Sequence, residues 1–491
     1  MLWALYAFFA AMLMILGRDL AEHFGRDRVC TTICTLLLLG ATLNAIAGVL
    51  QFVGIPRPID DFVAYLSGSR ATGNIGQANL YTNYLSLGLA SVAYLHAKER
   101  IGVAASIAIG SLLLIGISLA GSRASMVYSA IFGLLGITAI RLGKSAEDRR
   151  LGYAAIAIGA SSVLVQWLLP ASLSFFGTTI QGTFYRPSGP DWVSPHDESV
   201  GLRMLAWQLA IQIAATSPWM GVGPGEFAGA GFALGLPPAL ATGELWTSPH
   251  NLVLQLLAET GLLGTALACL AIWAWFRRSA IEFWSGPTPA GWWLVSCASV
   301  EVTHALLEYP FWYANFLGMT ALILGIGSTT TIRVSPLALK GVVATSAIAG
   351  AFLLGVSLRD YLRFELASPI HAGRSLASDR EFQSSLDTMA GLRDGLLAPR
   401  AELWLFLSIP ATPQALDEKL AIGSRVLRTW PAFEVILKQS LFLALAGRDA
   451  EAQALLSRAL KTYPKRKSAA LQSIESAPMP ARRVLEPILS P

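Results

Sequence analysis

The sequence predicts an all-α, polytopic helical membrane protein, and three observations carry that prediction. Of its 491 residues, 54% are hydrophobic and 14% charged, where soluble domains carry roughly 25% charged. The mean hydropathy is +0.54. Apolar runs repeatedly reach the roughly 20 residues needed to cross a hydrocarbon core. Ten spans are predicted, at 2–17, 29–49, 78–95, 102–120, 124–140, 152–169, 251–276, 288–307, 312–329 and 336–356. The first run lacks a basic leading segment and a small-residue cleavage site, so it reads as a span rather than a signal peptide.

The loops between spans alternate in charge. One set carries Arg18, Arg26 and Arg28, then Lys98 and Arg100, then Arg141, Lys144, Arg149 and Arg150, then Arg277 and Arg278, then Arg333. The other holds only Arg57, Arg70, Arg123, Arg186 and Arg203, although it includes the large loop at 170–250. Positive charge marks the cytoplasmic side, so the large loop, both chain ends and the C-terminal region are expected outside. The net charge of +5 is accounted for by topology and points to a lipid bilayer, with no nucleic acid. Cys30, Cys34, Cys269 and Cys297 lie in or beside apolar runs and read as small hydrophobes.

Residues 1–357 therefore form a transmembrane domain containing the 170–250 loop, and 358–491 form a charged, helical C-terminal region. Within the loop, Gly201–Ala215 has a helical pattern too short to cross, and Pro218 ends it. It reads as a re-entrant or interfacial helix with Arg203, Trp207 and Ile211 on one face. In the C-terminal region, Pro431–Pro464 predicts two helices about A-G-R-D-A, similar to one tetratricopeptide repeat. A lone repeat cannot bury its faces, so partners must come from 400–427 or from the membrane domain.

Polar residues gather at the outward face. The stretch S-G-S-R-A-T-G-N-I-G-Q-A-N-L-Y-T-N-Y-L at 67–85 offers Arg70, Gln77 and Asn79 to sugar hydroxyls or phosphate oxygens, or else to helix capping and a polar interhelical seam. Arg123 stands in the short turn G-S-R-A-S, paired with an anionic ligand or snorkelling to headgroups. Arg203 suits phosphate oxygens bidentately. His250, in P-H-N, suits proton abstraction near neutral pH, with capping or interfacial packing as the competing reading. Glu259 lies too far along the helix to touch His250 and is expected to pair with another span. His304 and Glu308 are spaced i,i+4 on one expected helix face, and membrane carboxylates and imidazoles are functional suspects. His196, in a Ser/Pro/Asp-rich segment, reads as exposed. These pieces suit attack by a hydroxyl on an anomeric carbon with pyrophosphate leaving. Arg203 and Arg123 would stabilise the diphosphate and His250 would deprotonate the acceptor. No cofactor is expected, and the loops show no D-x-D pair or close His/Asp/Glu set for a metal.

At these residues the sequence resembles the Wzy/WaaL-like bacterial O-antigen ligases and polymerases, most of all the PglL-type protein O-oligosaccharyltransferases. The stretches that carry the resemblance are G-N-I-G-Q-A-N-L-Y-T-N-Y-L at 73–85, G-S-R at 121–123, and G-L-R-M-L-A-W with P-W-M-G-V-G-P-G-E-F within 201–227. They continue with P-H-N-L-V-L-Q-L-L-A-E-T-G-L-L-G at 249–264 and H-A-L-L-E-Y-P-F-W-Y at 304–313. The resemblance implies an inner-membrane enzyme of nearer twelve spans, whose site faces the periplasm. It would take a glycan from undecaprenyl diphosphate without nucleotide or metal. It also implies that His250 activates the acceptor, that Arg203 and Arg123 hold the diphosphate, and that Gln77 and Asn79 contribute. This chain has Leu80 where relatives usually carry His. The implied acceptor is Ser/Thr of a pilin or other periplasmic protein, with lipid A core or a growing glycan as the alternative. A lipid-linked glycan transporter would require discontinuous helices and internal repeats, which the sequence does not display.

Overall fold

A computed structural model describes residues 2–54, 60–65, 69–175, 199–235, 246–328, 335–368 and 379–489. His196, Arg57, Arg186, Arg333 and the 176–198 and 236–245 parts of the large loop lie outside these residues. Twelve helices run as far as residue 367: α1 (Leu2–Phe24), α2 (Arg26–Val53), α3 (Ala78–Ala97), α4 (Val103–Ala120), α5 (Ala124–Leu142), α6 (Ala146–Phe175), α7 (Ser199–Thr216), α8 (Phe227–Leu234), α9 (Leu252–Ser285), α10 (Pro289–Ala305), α11 (Ala314–Gly327) and α12 (Pro336–Ala367). No strand occurs among the described residues.

Helices stand at all ten expected span positions, but only seven are long and apolar enough to cross a membrane: α1, α2, α4, α5, α6, α9 and α12. Among the described residues, α3, α10 and α11 fall short of that measure of length and composition. The reason is burial within the bundle. α3 packs against α2, α4, α5, α6 and α10, so it tolerates Thr82, Asn83, Ser86 and Ser91, all buried. α10 has 17 residues and buries Glu301 and His304, and α11 has only 14 residues. A helix sheathed in protein need not be apolar all round.

Local chemistry sets the helix ends. Gln77 Oε1 accepts from Leu80 N at 2.6 Å to start α3. Ser145 and Asp148 exchange side-chain and backbone hydrogen bonds in a reciprocal cap at the start of α6. Thr288 caps α10, with Pro289 in the first turn where its missing N–H costs nothing.

The expected helix over 201–215 is present as α7. It ends at Ser217–Pro218, and the loop that follows packs into α9. Gly261 interrupts α9 with φ 65° and ψ −168°, which frees its neighbours to bond outward: Leu262 N donates to Pro218 O at 2.8 Å, and Val222 N to Ala258 O at 3.0 Å. A Cβ on Gly261 would lie 2.4 Å from the Trp219 carbonyl.

The charge-rich region expected from residue 358 begins inside α12, which runs unbroken to Ala367. Beyond it come helices at Asp379–Gly391, Ala398–Ser408, Leu416–Thr429, Phe433–Leu445 and Asp449–Thr462, then shorter ones to 488. The pair about Ala446–Arg448 is the predicted hairpin. Its faces are covered by the preceding helices through Phe406, Leu420 and Val426, and by Phe232 of α8, so both expected sources of partners contribute.

Replacing Gly261 by Ala is expected to destabilise the protein by at least about 2 kcal/mol, through the positive φ and the backbone clash. Gly286→Ala, at an extended φ of 176° with nothing within 4 Å, should leave the melting temperature unchanged. Thermal unfolding followed by size-exclusion fluorescence checks both.

Candidate active site

The site is built from four chain segments that meet outside the bundle. α10 stops at Ala305, and the following turn places Glu308, whose N–H donates to His304 O at 2.8 Å; Pro310 then opens a short 3-10 turn. His304 and Glu308 therefore do not present one helix face to a ligand. His304 is fully buried and meets Tyr128 Oη at 2.7 Å, whereas Glu308 turns toward the loop side.

Three donors converge on the Glu308 carboxylate. Oε1 accepts from Arg203 Nη2 at 2.6 Å and from Asn79 Nδ2 at 2.7 Å, and Oε2 meets His250 Nδ1 at 2.8 Å. The Glu308 side chain is 5% exposed. Burial pushes its pKa up, but the His250 hydrogen bond and the His250, Arg203 and His304 charges more than offset that and hold it below the ordinary carboxylate range. An ionised carboxylate only accepts hydrogen bonds. The contact with His250 is therefore made through a hydrogen on Nδ1, and Nε2 is the ring nitrogen turned away from the carboxylate.

His250 sits in the left-handed region at φ 53°, costly for a non-glycine residue and common where function fixes the backbone. Its neighbours hold it there. His250 N donates to Ser248 Oγ at 3.1 Å, and Trp207 Nε1 of α7 donates to Pro249 O at 3.0 Å. Asn251 caps α9 through Leu254 N and donates to Leu306 O, both at 3.1 Å. It is Asn251, not His250, that caps this helix. Tyr309 packs edge-on to the imidazole at 5.0 Å. Burial, with the Tyr313 and Glu308 charges, pushes the Tyr309 phenol up to about 12, so it stays neutral beside the histidine and offers no competing base.

Arg70 donates to Ala120 O at 2.7 Å and to Asn79 Oδ1 at 2.9 Å. Both acceptors are neutral, so these bonds fix the guanidinium without cancelling its charge. Burial lowers its pKa, Glu308 opposes that, and the Arg203 and Arg123 charges add to it. All three guanidinium groups therefore share one electrostatic neighbourhood, a natural cradle for a polyanion.

Of the sequence-predicted residues, the structure thus brings together Arg70, Asn79, Arg203, His250 and Glu308, with Arg123 in the same field. Gln77 is engaged in capping α3. Glu259 accepts from Gln255 Nε2 at 2.7 Å and faces the backbone N–H groups of Gly225 and Phe227. It braces the glycine-rich loop rather than a partner span. Ser248, Asn251 and Tyr309 are positioning residues that the sequence did not single out, and Trp207, expected only to share a face with Arg203, joins them; the Ser248 and Asn251 pair flanking P-H was the available signal. Among the described residues, no group of three or more His, Cys, Asp or Glu is placed to hold a metal ion.

Residues 108–269 match the O-antigen ligase family, and residues 292–476 match the family described as virulence factor membrane-bound polymerase, C-terminal. The chain is 26% identical over 364 residues to the general O-oligosaccharyltransferase of Acinetobacter baylyi, covering 72% of this chain and 61% of that protein. It is 23% identical over 310 residues to the ComP-specific O-oligosaccharyltransferase of the same organism, covering 63% and 53%. The chain thus spans between about half and three-fifths of the length of these relatives.

Glu308→Gln is expected to cost about 3 kcal/mol at neutral pH, as breaking a buried ion pair does. Because the folded carboxyl titrates below its unfolded value, this contribution is complete above the ordinary carboxylate pKa of about 4.3 and is lost as pH falls through the depressed folded value. Melting temperatures of wild type and variant should therefore differ from neutral pH down to about 4.3 and converge below it.

Proposed function

We propose that the chain belongs to the O-antigen ligase superfamily and is an inner-membrane glycosyltransferase with its site toward the periplasm. It moves a glycan en bloc from undecaprenyl diphosphate to Ser or Thr of a pilin-like or other periplasmic protein. The observation that carries this reading is the 2.8 Å contact between His250 Nδ1 and Glu308 Oε2. With Nδ1–H held by Glu308, Nε2 is a base beside a cluster of arginines that suits a diphosphate.

In this scheme His250 Nε2 takes the proton of the acceptor hydroxyl as its oxygen bonds to the anomeric carbon. The anomeric C–O bond to phosphate breaks, and its electron pair leaves with the lipid diphosphate. Arg203, Arg70 and Arg123 stabilise the charge that develops there. Glu308 fixes the tautomer of His250 and stabilises the imidazolium. Charge neutralisation by arginine needs no divalent ion, so transfer should survive EDTA.

Two features favour a protein acceptor: both relatives are named O-oligosaccharyltransferases, and the C-terminal helices offer a docking module outside the bundle. The matches to O-antigen ligase and to a membrane-bound polymerase favour the second reading, in which lipid A core or a growing glycan accepts through the same residues.

Purified protein with undecaprenyl-diphosphate glycan and EDTA, offered a pilin and a lipid A core in parallel, decides between them by mass spectrometry. A glycan mass on a Ser-containing pilin peptide is expected. Product on lipid or glycan alone would replace the acceptor, and no transfer to any acceptor would sink the enzymatic reading. His250→Ala should lower transfer by at least about a hundredfold while donor binding persists, whereas Arg203→Ala should weaken donor binding about tenfold or more.

A further inference from the structure

Directly below the site lies a second tier of polar side chains that the transfer chemistry does not use. Asn83 of α3, Tyr128 of α5, and Glu301 and His304 of α10 are each at most 1% exposed. α3, α5 and α10 each carry a member of this tier about one turn from a site residue on the helix or at its end. Asn83 follows Asn79 by four residues, Tyr128 follows Arg123 by five, and His304 precedes Glu308 by four. Tyr128 Oη and His304 Nδ1 are 2.7 Å apart. Asn83 faces both Tyr128 and Glu301, and Thr320 of α11 faces Glu301 from the other side. Both oxygens of Glu301, both polar atoms of the Asn83 amide, Nε2 of His304 and Oγ1 of Thr320 make no direct hydrogen bond, so apart from the Tyr128–His304 bond these groups meet as polar neighbours only. The surrounding core is apolar, with Leu85, Phe132, Trp292, Val300 and Ile323 among it.

We propose that Glu301, Asn83, Tyr128 and His304 form a positioning tier that sets the register of α3, α5 and α10, so that Asn79, Arg123 and Glu308 converge above them. The physical reason is the cost of parting. In an apolar bundle a polar group that leaves its counterpart finds no substitute, at a penalty of about 1–3 kcal/mol per group. A slide of any one helix would separate several such groups together. Full burial also removes His304 from substrate, so its part is played through the helices. The carboxylate clamp on His250 depends on this register, since Asn79 and Glu308 must lie within 2.7 Å across two helices.

The kinetic arm of the test rests on the transferase reading, and a second arm does not. Tyr128→Phe and Glu301→Leu should each lower kcat at least about fivefold while KM for the lipid-linked donor holds within about threefold; Glu301→Gln, which keeps shape and polarity, should stay within about twofold of wild type. Independently, diethylpyrocarbonate should modify His250 at pH 7 at least about threefold faster in folded Tyr128→Phe and Glu301→Leu, but not in Glu301→Gln, as the clamp loosens. The rate is read on the His250 peptide by mass spectrometry. Should Glu301→Leu fail to fold, Tyr128→Phe, which removes one oxygen, decides alone. Wild-type modification rates in the folded variants would reduce the tier to packing and overturn the proposal. A wild-type protein that transfers nothing would overturn the transferase reading instead, leaving the modification rates to judge the tier.

Discussion

The site depends on one buried carboxylate. A charge in the position of Glu308 would be several kcal/mol too costly without partners, and the fold supplies them from separate elements: Asn79 from α3, Arg203 from α7 and His250 from the segment before α9. Each donor is far from the others in sequence. The carboxylate therefore fixes a three-dimensional arrangement that no local preference could set, and the same contacts orient the imidazole of His250.

Geometry outside the carboxylate delivers those donors. α7 is placed by the loop after it, which can lie against α9 only because Gly221 and Gly261 have no Cβ: at either position one would lie 2.3–2.4 Å from the facing backbone. Glu259 braces the same loop. Trp207 then reaches back to Pro249, so the helix that carries Arg203 also holds the backbone of His250 in its left-handed conformation. Strain at one residue is held by contacts spread over three elements, the usual condition for such strain to persist.

Much of this was legible in the sequence, for identifiable reasons. Apolar run length located α1–α6 and α9–α12, because crossing or filling a bundle requires such runs. It did not tell apolar spans from helices enclosed in the bundle: α3 and α10 are packed against other helices and carry buried polar residues. Arg70, Asn79, Arg203, His250 and Glu308 stood out as polar groups flanking oil. Their convergence on Glu308 did not, since spacing along a chain says nothing about contacts between residues 79, 203, 250 and 308. The i,i+4 spacing of His304 and Glu308 suggested a shared face, but the helix ends at Ala305 and the two side chains part. Gln77 and Glu259 carry polar atoms that sequence alone assigns equally to ligand or backbone, and here the backbone has them.

The insertion of α8 into the C-terminal core has a practical bearing. Gly229 approaches the Arg428 carbonyl so closely that a Cβ would sit 2.1 Å away, Phe232 is buried among the C-terminal helices, and Arg458 lies over its ring at 5.7 Å. The C-terminal region is therefore not a detachable appendage with its seam at the chain's change of composition. Part of its interior is encoded some 150 residues earlier, in the same loop that braces α9. Anyone exchanging this region between homologues to alter what the protein modifies would have to transplant residues 221–235 along with it, because a chimera cut only at the later junction would leave one hydrophobic core open and one helix without its bed.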